Sequence, residues 1–216
     1  DSEGASAGGA SAMNANERAA STAVNRAGES GPISSNAAPA ALPNDRNVAE
    51  DAPRQDVPAT AHCAAVADWN PDWSDFEERV LELVNEARAA PADCGSEGKF
   101  AAAAPLAMDP VLRCSARLHS LDMYERNYFD HTDPDGQNPF QRMRAAGFRG
   151  SKAGENIAVG QATPEQVMQS WMASDGHCAN VMQSGYRLLG VGYDPGAGGR
   201  GLGSNYWTQN FGAPLN

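Results

Sequence analysis

The segment Gly154-Glu155-Asn156-Ile157-Ala158 decides the fold class, because it places a short segment of strand character with a glycine border among sequence that is rich in helix signals. Two later segments, 188–193 and 206–211, have the same character. Short runs of this kind, bounded by glycine, are typical of strands. The sequence therefore predicts three strands, at 155–159, 188–193 and 206–211.

Four helices are predicted around these strands. The first begins at the capping box formed by Ser74 and Glu77 and ends near Ala90. The other three begin where a capping residue precedes a proline, and they are placed at 109–126, at 138–147 and from Thr163 onward. Three strands and about four helices predict an α+β domain. The glycine-rich segment 196–203 is predicted to be a hairpin loop.

The first 60 residues differ in composition from the rest of the chain. Ala, Gly, Ser, Pro and Asn fill 39 of these positions, and the segment contains no Phe, Trp or Tyr. Such a segment buries too little apolar surface to offset the entropy cost of ordering it. We therefore predict a disordered tail or tether at 1–60 and a folded domain at 61–216, with a partner-binding strap as the alternative role of the tail.

The net charge argues against nucleic acid as a partner, and the hydropathy argues against a membrane-spanning helix. The formal net charge of −11 would repel a phosphate backbone, so nucleic acid is not expected as a partner. No run approaches the roughly 20 apolar residues that a membrane-spanning helix needs. Because the chain begins at Asp1, we expect that a signal peptide has been removed, and a lipid anchor upstream of Asp1 is compatible with this start.

Four cysteines indicate an oxidising compartment. Cys63, Cys94, Cys114 and Cys178 are widely spaced and form no C-x-x-C pair. An even number of such cysteines favours two disulfides, although four buried thiols in a cytosolic protein is the alternative. The residues alone leave all three pairings open.

Two histidines and one glutamate are the candidate site residues. His131 and His177 are predicted in loops, where functional residues concentrate, whereas His119 lies on the apolar stripe of the second helix and is assigned a structural role. Glu155 opens a buried strand and therefore needs a partner. Two imidazoles and a carboxylate suit a divalent metal such as zinc. The alternative is a hydrogen-bonded polar cluster that fixes the loops.

Five ordered motifs make the chain resemble the CAP superfamily, which contains cysteine-rich secretory proteins, antigen 5 and group 1 pathogenesis-related proteins. The similarity is strongest to its bacterial secreted branch, called SCP-like or YkwD-like. It covers about residues 74–213 and rests on Tyr128 to Gly136 (YFDHTDPDG), Gly154 to Ala158 (GENIA), Ser170 to His177 (SWMASDGH), Leu189 to Gly192 (LGVG) and Asn205 to Gly212 (NYWTQNFG).

The resemblance implies a fold and a cleft. The fold would be an α-β-α sandwich with a small, mainly antiparallel, three-stranded sheet. The cleft would contain His131, Glu155 and His177, with the two histidines as metal ligands and Glu155 as a water-mediated or second-shell partner. Zinc is the favoured ion, with another divalent cation as the alternative. The family's second acid falls on Ser174, and the neighbouring Asp175 is a candidate substitute.

The resemblance also implies a disulfide pairing and a location. It pairs Cys94 with Cys178 and leaves Cys63 for Cys114. The location would be secreted, either extracellular or in a bacterial cell envelope.

The function we expect is binding of an extracellular small lipid, glycan or protein without turnover. One alternative is a metal-assisted or serine-type hydrolase that uses His131, Glu155, His177 and Ser174 as nucleophile. The sequence shows neither a G-x-S-x-G elbow nor an oxyanion donor for that reaction. The other alternative is a tethered structural or assembly subunit that acts through the tail.

Overall fold

The computed structural model of the chain describes residues 56–196 and 203–215. The predicted tail up to residue 55, and residues 197–202 of the predicted hairpin loop, lie outside the described residues. Within the described ranges the helices are α1 (Pro71–Arg88), α2 (Pro110–Glu125), α3 (Pro139–Ala146), α4 (Pro164–Met172) and α5 (Asp175–Met182). The strands are β1 (Ala92–Asp93), β2 (Lys99–Phe100), β3 (Ala107–Met108), β4 (Lys152–Val159), β5 (Leu188–Asp194) and β6 (Tyr206–Ala213).

The main sheet has four strands in the order β3-β5-β6-β4. β6 pairs antiparallel with both β5 and β4, and β3 pairs in parallel with β5. β1 and β2 form a separate antiparallel pair. The predicted α+β class is confirmed, but the prediction of a three-stranded sheet was wrong. Strand β3 contains only two residues, which is too short to show the alternation that identifies a strand from sequence.

Three of the predicted helix starts are confirmed by side-chain caps. Asp109, Asn138 and Thr163 each accept a hydrogen bond from a backbone N–H in the first turn of α2, α3 or α4. In each case proline occupies the first helical position, where its missing N–H costs nothing. None of the helices in the described ranges combines the length and apolar character that a membrane span requires.

The predicted start of the first helix was wrong. Asn70 caps α1 by accepting from the N–H of Asp72 at 2.8 Å, so the helix begins at Pro71. Ser74 and Glu77, which resemble a capping box, lie inside α1 and are buried. Their side chains bind arginines of α2 instead of the backbone of their own helix.

Helix α5 was not predicted. Its first turn contains Gly176, and glycine is a poor helix former, so this segment resembles a loop in the sequence. The prediction that His177 lies in a loop was therefore wrong, because His177 lies in the first turn of α5.

Helices cover both faces of the main sheet. On one face α2 approaches β5 at Gly190 and Gly192, where a Cβ atom would lie 2.1 Å and 2.3 Å from backbone carbons of Leu112 and Ala116. Only glycine permits this approach. The opposite face carries the main core, to which α1, α4, α5 and the sheet contribute Val84, Val167, Trp171, Val181, Leu189, Val191, Trp207 and Phe211.

Two disulfides link parts of the chain that are far apart in sequence. Cys63 bonds Cys114 in α2, and Cys94 bonds Cys178 in α5. This is the pairing that the family resemblance implies, and none of the four cysteines is free. The loops that these bonds close are long, with sequence separations of 51 and 84 residues. In the chain-entropy model, closing a loop of such length stabilises a fold by about 4 kcal/mol.

A buried ion-pair cluster joins α1 to α2 and the sheet. The carboxylate of Glu77, which is fully buried, accepts from Arg113 Nε at 2.8 Å and from a terminal guanidinium nitrogen of Arg117 at 2.7 Å. It also accepts from the backbone N–H of Tyr193 at 3.1 Å. Arg117 additionally pairs with Asp56 at 3.3 Å.

The described chain makes contacts ahead of the predicted domain start. Val57 is only 5% exposed and packs in the cluster around the Cys63–Cys114 disulfide. Together with the Asp56 ion pair, this places residues 56 and 57 against the folded domain. The boundary at residue 61 itself stays a prediction.

Candidate functional site

Strand β4 presents Glu155 to the layer formed by α2 and α3. Glu155 pairs in register with Asn210 of β6, and its side chain is 2% exposed. Because side chains alternate along a strand, Glu155 and its neighbour Asn156 face opposite sides of the sheet. A carboxylate at this depth requires hydrogen-bonding partners.

Arg142 of α3 is the main partner of Glu155. One terminal guanidinium nitrogen donates to both carboxylate oxygens, at 3.0 Å and 2.9 Å. The other terminal nitrogen donates to the backbone carbonyls of His131 and Gln137, both at 2.8 Å. Arg142 therefore neutralises the carboxylate and fixes the loop that carries His131. Arg142 was not among the predicted site residues, because in the sequence an arginine in a short amphipathic helix looks like an ordinary exposed side chain.

His131 is the predicted site residue that contacts Glu155. Its Nδ1 lies 2.9 Å from Glu155 Oε1, and its side chain is about one third exposed. The bond to Glu155 orients the ring and leaves Nε2 as the nitrogen that faces a prospective ligand. Burial opposes ionisation of Glu155, but the nearby histidines and Arg142 outweigh it and lower the pKa of this carboxyl.

Asn210 completes the surroundings of Glu155. With its amide oriented to satisfy its neighbours, Nδ2 donates to Glu155 Oε2 at 3.0 Å. Its oxygen then accepts from Ser115 Oγ at 3.1 Å. Both carboxylate oxygens are thus engaged by Arg142, His131 and Asn210. Sequence analysis counted Asn210 only as part of a family motif, because the partner of a strand residue is set by sheet register.

His119 of α2 lies directly beneath this carboxylate. It is fully buried, and its Nε2 lies 3.7 Å from Glu155 Oε1 without a hydrogen bond to any described residue. On its other side, Nδ1 is 3.3 Å from the hydroxyl of Tyr128, which donates to Asp122 at 2.5 Å. The histidine that the sequence assigned to a structural role is therefore part of the polar cluster around Glu155.

Acid should destabilise the fold through His119. Burial, followed by the charges of Arg142 and His131, lowers the pKa of His119 to about 4, against the opposing effect of Glu155. An unfolded histidine titrates near pH 6.5, so the unfolded state gains the proton first as the pH falls. Stability is therefore lost between pH 6.5 and 4, and we expect His119 to account for about 2 to 3 kcal/mol of the loss between pH 7 and 4.5.

Urea unfolding at pH 7.0 and 4.5 measures this loss. We expect His119→Gln to lose about 2 to 3 kcal/mol less than the wild type over that interval, whatever its stability at pH 7. His62→Gln is the matched control, because it removes an exposed histidine outside the cluster around Glu155. Equal acid losses in wild type and His119→Gln would show that His119 does not titrate as described.

His177 approaches the site from the other side of β4. The amide nitrogen of Asn156 donates to the backbone carbonyl of His177 at 3.2 Å, and Asn180 of α5 donates to the Asn156 oxygen at 2.9 Å. β4 is an edge strand of the main sheet. Its unpaired edge therefore lies between the layer of α2 and α3 on one face of the sheet and α5 on the other. Burial and then the charge of His131 lower the pKa of His177 to about 4.

Ser174 and Asp175 contribute less than the sequence analysis considered. The carboxylate of Asp175 accepts from the backbone N–H and the hydroxyl of Ser96, at 2.8 Å and 2.7 Å. These bonds hold it against the turn after β1 and lower its pKa. Ser174 is the N-cap residue of α5, and its side chain makes no capping hydrogen bond.

The residues present fit a metal held by two imidazoles. A metal-binding histidine typically donates its second ring N–H to a carboxylate, which is the arrangement of His131 Nδ1 and Glu155. Within the described ranges, no group of three or more His, Cys, Asp or Glu side chains is placed to hold a metal. Two histidine ligands alone would leave the other coordination positions of a metal to water or a bound molecule, unlike the four protein ligands of a closed structural zinc site.

Helices on both faces of a small mixed sheet, two disulfides and a histidine–glutamate cluster at the edge strand define a CAP-type domain. The chain belongs to the cysteine-rich secretory protein (CAP) family, whose model matches residues 81–211. The family that was inferred from the sequence motifs is thereby confirmed.

Relatives and solved structures agree with this assignment. The chain is 35% identical to the Bacillus subtilis (strain 168) protein YkwD over 176 residues, which cover 81% of the chain. It is 31% identical over 149 residues, or 68% of the chain, to the membrane protein YlbC of the same organism. A crystal structure of an extracellular protein containing an SCP domain from Bacillus anthracis matches 67% of the chain with 26% identity and a TM-score of 0.53.

A fourth comparison supports the fold alone. An outer surface protein from Borrelia burgdorferi matches 68% of the chain and 96% of its own length, with 17% identity and a TM-score of 0.52. The chain spans 62% of YkwD, 38% of YlbC and 44% of the Bacillus anthracis structure, so these relatives contain sequence beyond the shared domain.

Proposed function

We propose that this chain is an extracellular or cell-envelope CAP domain whose cleft at the edge of β4 binds a ligand without turnover. The observation that carries the proposal is the state of Glu155, whose two oxygens are engaged by Arg142 and His131. A general base must have a lone pair available to the reacting proton. Glu155 instead serves as the fixed support that orients His131.

The same geometry supports a divalent metal, with zinc as the favoured ion. His131 and His177 would hold it, and it would supply a Lewis-acidic point to which an oxygen or nitrogen of the ligand binds. Arg142 and Glu155 keep the His131 ring in one orientation, so little conformational entropy is lost on binding. The ligand class remains an extracellular small lipid, glycan or protein.

The hydrolase alternative has weaker support. It requires Ser174 as the nucleophile, and the sequence around Ser174 shows neither a G-x-S-x-G elbow nor an oxyanion donor for that reaction. The scaffold alternative depends on the tail, which lies outside the described residues. Two observations support an extracellular location. The Bacillus anthracis relative is an extracellular protein, and disulfides such as the two found here form in oxidising compartments.

Zinc titration calorimetry on the full chain at pH 7.5 tests the metal site. We expect one zinc ion per chain in the wild type and no binding in a variant with both His131→Ala and His177→Ala. His62→Ala is the matched control, because it removes an exposed histidine outside the cleft. Far-ultraviolet circular dichroism checks that each variant is folded.

Two outcomes would contradict the metal site. The first is the absence of zinc binding in folded wild-type protein. The second is wild-type affinity in the double histidine variant together with loss in His62→Ala, which would place the ion at the domain start. In either case the cleft would have to act through hydrogen bonds alone, or the tail would carry the function.

A further inference from the structure

Three of the exposed cations of this acidic domain are paired with carboxylates. Within the described ranges, Arg79 pairs with three glutamates at 2.8 to 3.2 Å, Arg126 pairs with Asp122 and Asp135 at 2.6 Å, and Lys99 lies 3.6 Å from Asp93. Exposed pairs of this kind stabilise a fold little, but they remove free positive charge from the surface.

Four exposed cations lack such a partner among the described residues, and all four lie at one end of the main sheet. They are Arg144, Arg149, Lys152 and Arg187, which we call the basic end. Arg144 and Lys152 line the same surface recess. Arg149 donates to the backbone carbonyl of Arg144 at 3.1 Å, and the backbone N–H of Arg187 donates to Gly212 at the end of β6.

The sequence keeps carboxylates away from the basic end. The three segments that form it, 136–154, 183–193 and 211–215, contain no Asp or Glu, although the chain as a whole has 27 acidic and 16 basic residues. Among the described residues, the unpaired positive charge is therefore concentrated at one end of the main sheet, in a protein whose net charge is negative. Such a charge distribution orients the molecule in the field of an anionic surface.

Large exposed apolar side chains lie at the same end. Among the described residues, Phe140 is 52% exposed and Leu215 is 66% exposed, and no other large apolar side chain is exposed to this degree. Phe140 lines the recess with Arg144 and Lys152. Ser151 bonds the carbonyls of Ala213 and Pro214, which places Leu215 beside Lys152.

We propose that the basic end is a docking surface for an anionic lipid bilayer. Headgroup phosphates complement the four unpaired cations, and the underlying hydrocarbon accepts Phe140 and Leu215. The recess has a volume of only about 90 Å³, far below the roughly 300 Å³ of small-molecule pockets, so a free ligand fits it poorly.

Screening makes the overall negative charge compatible with this docking. At physiological salt the Debye length is about 8 Å, so carboxylates on the far side of the domain feel little of the bilayer charge. Each lysine or arginine near an anionic surface contributes about 1 kcal/mol, or roughly a fivefold change in partitioning. The proposal rests on surface charge and exposed apolar groups and does not depend on the metal site.

Vesicle sedimentation with the full chain tests the proposal. We expect binding to vesicles of equimolar phosphatidylglycerol and phosphatidylcholine, weaker binding as salt rises, and no binding to phosphatidylcholine alone. A triple variant, Arg144→Gln, Arg149→Gln and Lys152→Gln, should reduce partitioning roughly 100-fold. Phe140→Ser should reduce it roughly tenfold, because an exposed aromatic anchor is lost.

The matched control is a second triple variant, Arg79→Gln, Lys99→Gln and Arg126→Gln, which removes the same charge from paired surface sites. We expect it to retain partitioning within about threefold of the wild type, since those cations lie away from the basic end. Equal losses in the two triple variants, or no binding of the wild type to anionic vesicles, would overturn the proposal.

Two further measurements separate other occupants. Fluorescence anisotropy with a labelled acidic peptide that contains phenylalanine would reveal a protein-docking surface, and sedimentation velocity would reveal a dimer that the basic-end variant dissociates. Either result, combined with the absence of vesicle binding, overturns the lipid assignment. Zinc titration of the basic-end variant should be unchanged, so failure here is distinguishable from failure of the metal site.

Discussion

An Arg142→Met variant is expected to be about 3 to 5 kcal/mol less stable than the wild type at pH 7. The substitution leaves Glu155, whose side chain is 2% exposed, without the guanidinium that binds both of its oxygens. It also removes the donor to the backbone carbonyls of His131 and Gln137. Urea unfolding followed by tryptophan fluorescence measures the change.

Arg144→Met is the matched control for this prediction. Arg144 lies two residues further along α3, is exposed and has no described carboxylate partner, so its loss should change stability by less than about 0.5 kcal/mol. Adding Glu155→Gln to Arg142→Met should recover part of the lost stability, because the second change removes the unpaired charge. A loss below about 1 kcal/mol in Arg142→Met would mean that water replaces the guanidinium, and the rigid support for His131 would have to be abandoned.

Glu77→Gln should cause a loss of similar size, about 3 to 5 kcal/mol. The amide has nearly the shape of the carboxylate but carries no charge, so Arg113 and Arg117 would lose their fully buried counterion and keep only the less buried Glu78 and Asp56. Because these residues join α1, α2 and β5, the loss should appear as a lower midpoint of cooperative unfolding, measured in urea at pH 7.

Glu78→Gln provides the comparison for this variant. Glu78 also binds Arg113 at 2.8 Å, but 43% of its side chain is exposed, so water can replace it. We expect a change of less than about 1 kcal/mol. Equal free energies of unfolding for Glu77→Gln and Glu78→Gln would show that the buried ion pairs of Glu77 stabilise the fold no more than the exposed ion pair of Glu78.

Local signals in the sequence predicted much of the fold correctly. The starts of α2, α3 and α4 follow from Asp109, Asn138 and Thr163, because a capping side chain bonds the backbone within its own first turn. The predicted start of α1 was wrong because the side chains that suggested it bind another helix. The side chains of Ser74 and Glu77 have the pattern of a capping box, yet their partners come from a helix about 40 residues away.

The candidate site was predicted only in part. His131 and Glu155 were expected to act together, and they are in contact at 2.9 Å. Arg142, which neutralises Glu155, was not identified. Its pairing with a residue 13 positions away depends on how α3 packs beside β4, and no sequence spacing encodes that arrangement.

The amino-acid sequence by itself determined the α+β class, the capped helices, the family and the cysteines that are available for pairing. These properties follow from contacts within a few residues or from motifs in a fixed order. The tertiary structure alone decided that His119, Arg142 and Asn210 surround Glu155 and that four unpaired cations gather at one end of the sheet. The physical reason is that burial and electrostatic pairing depend on distances across packed layers, which are fixed only when helices and strands assemble.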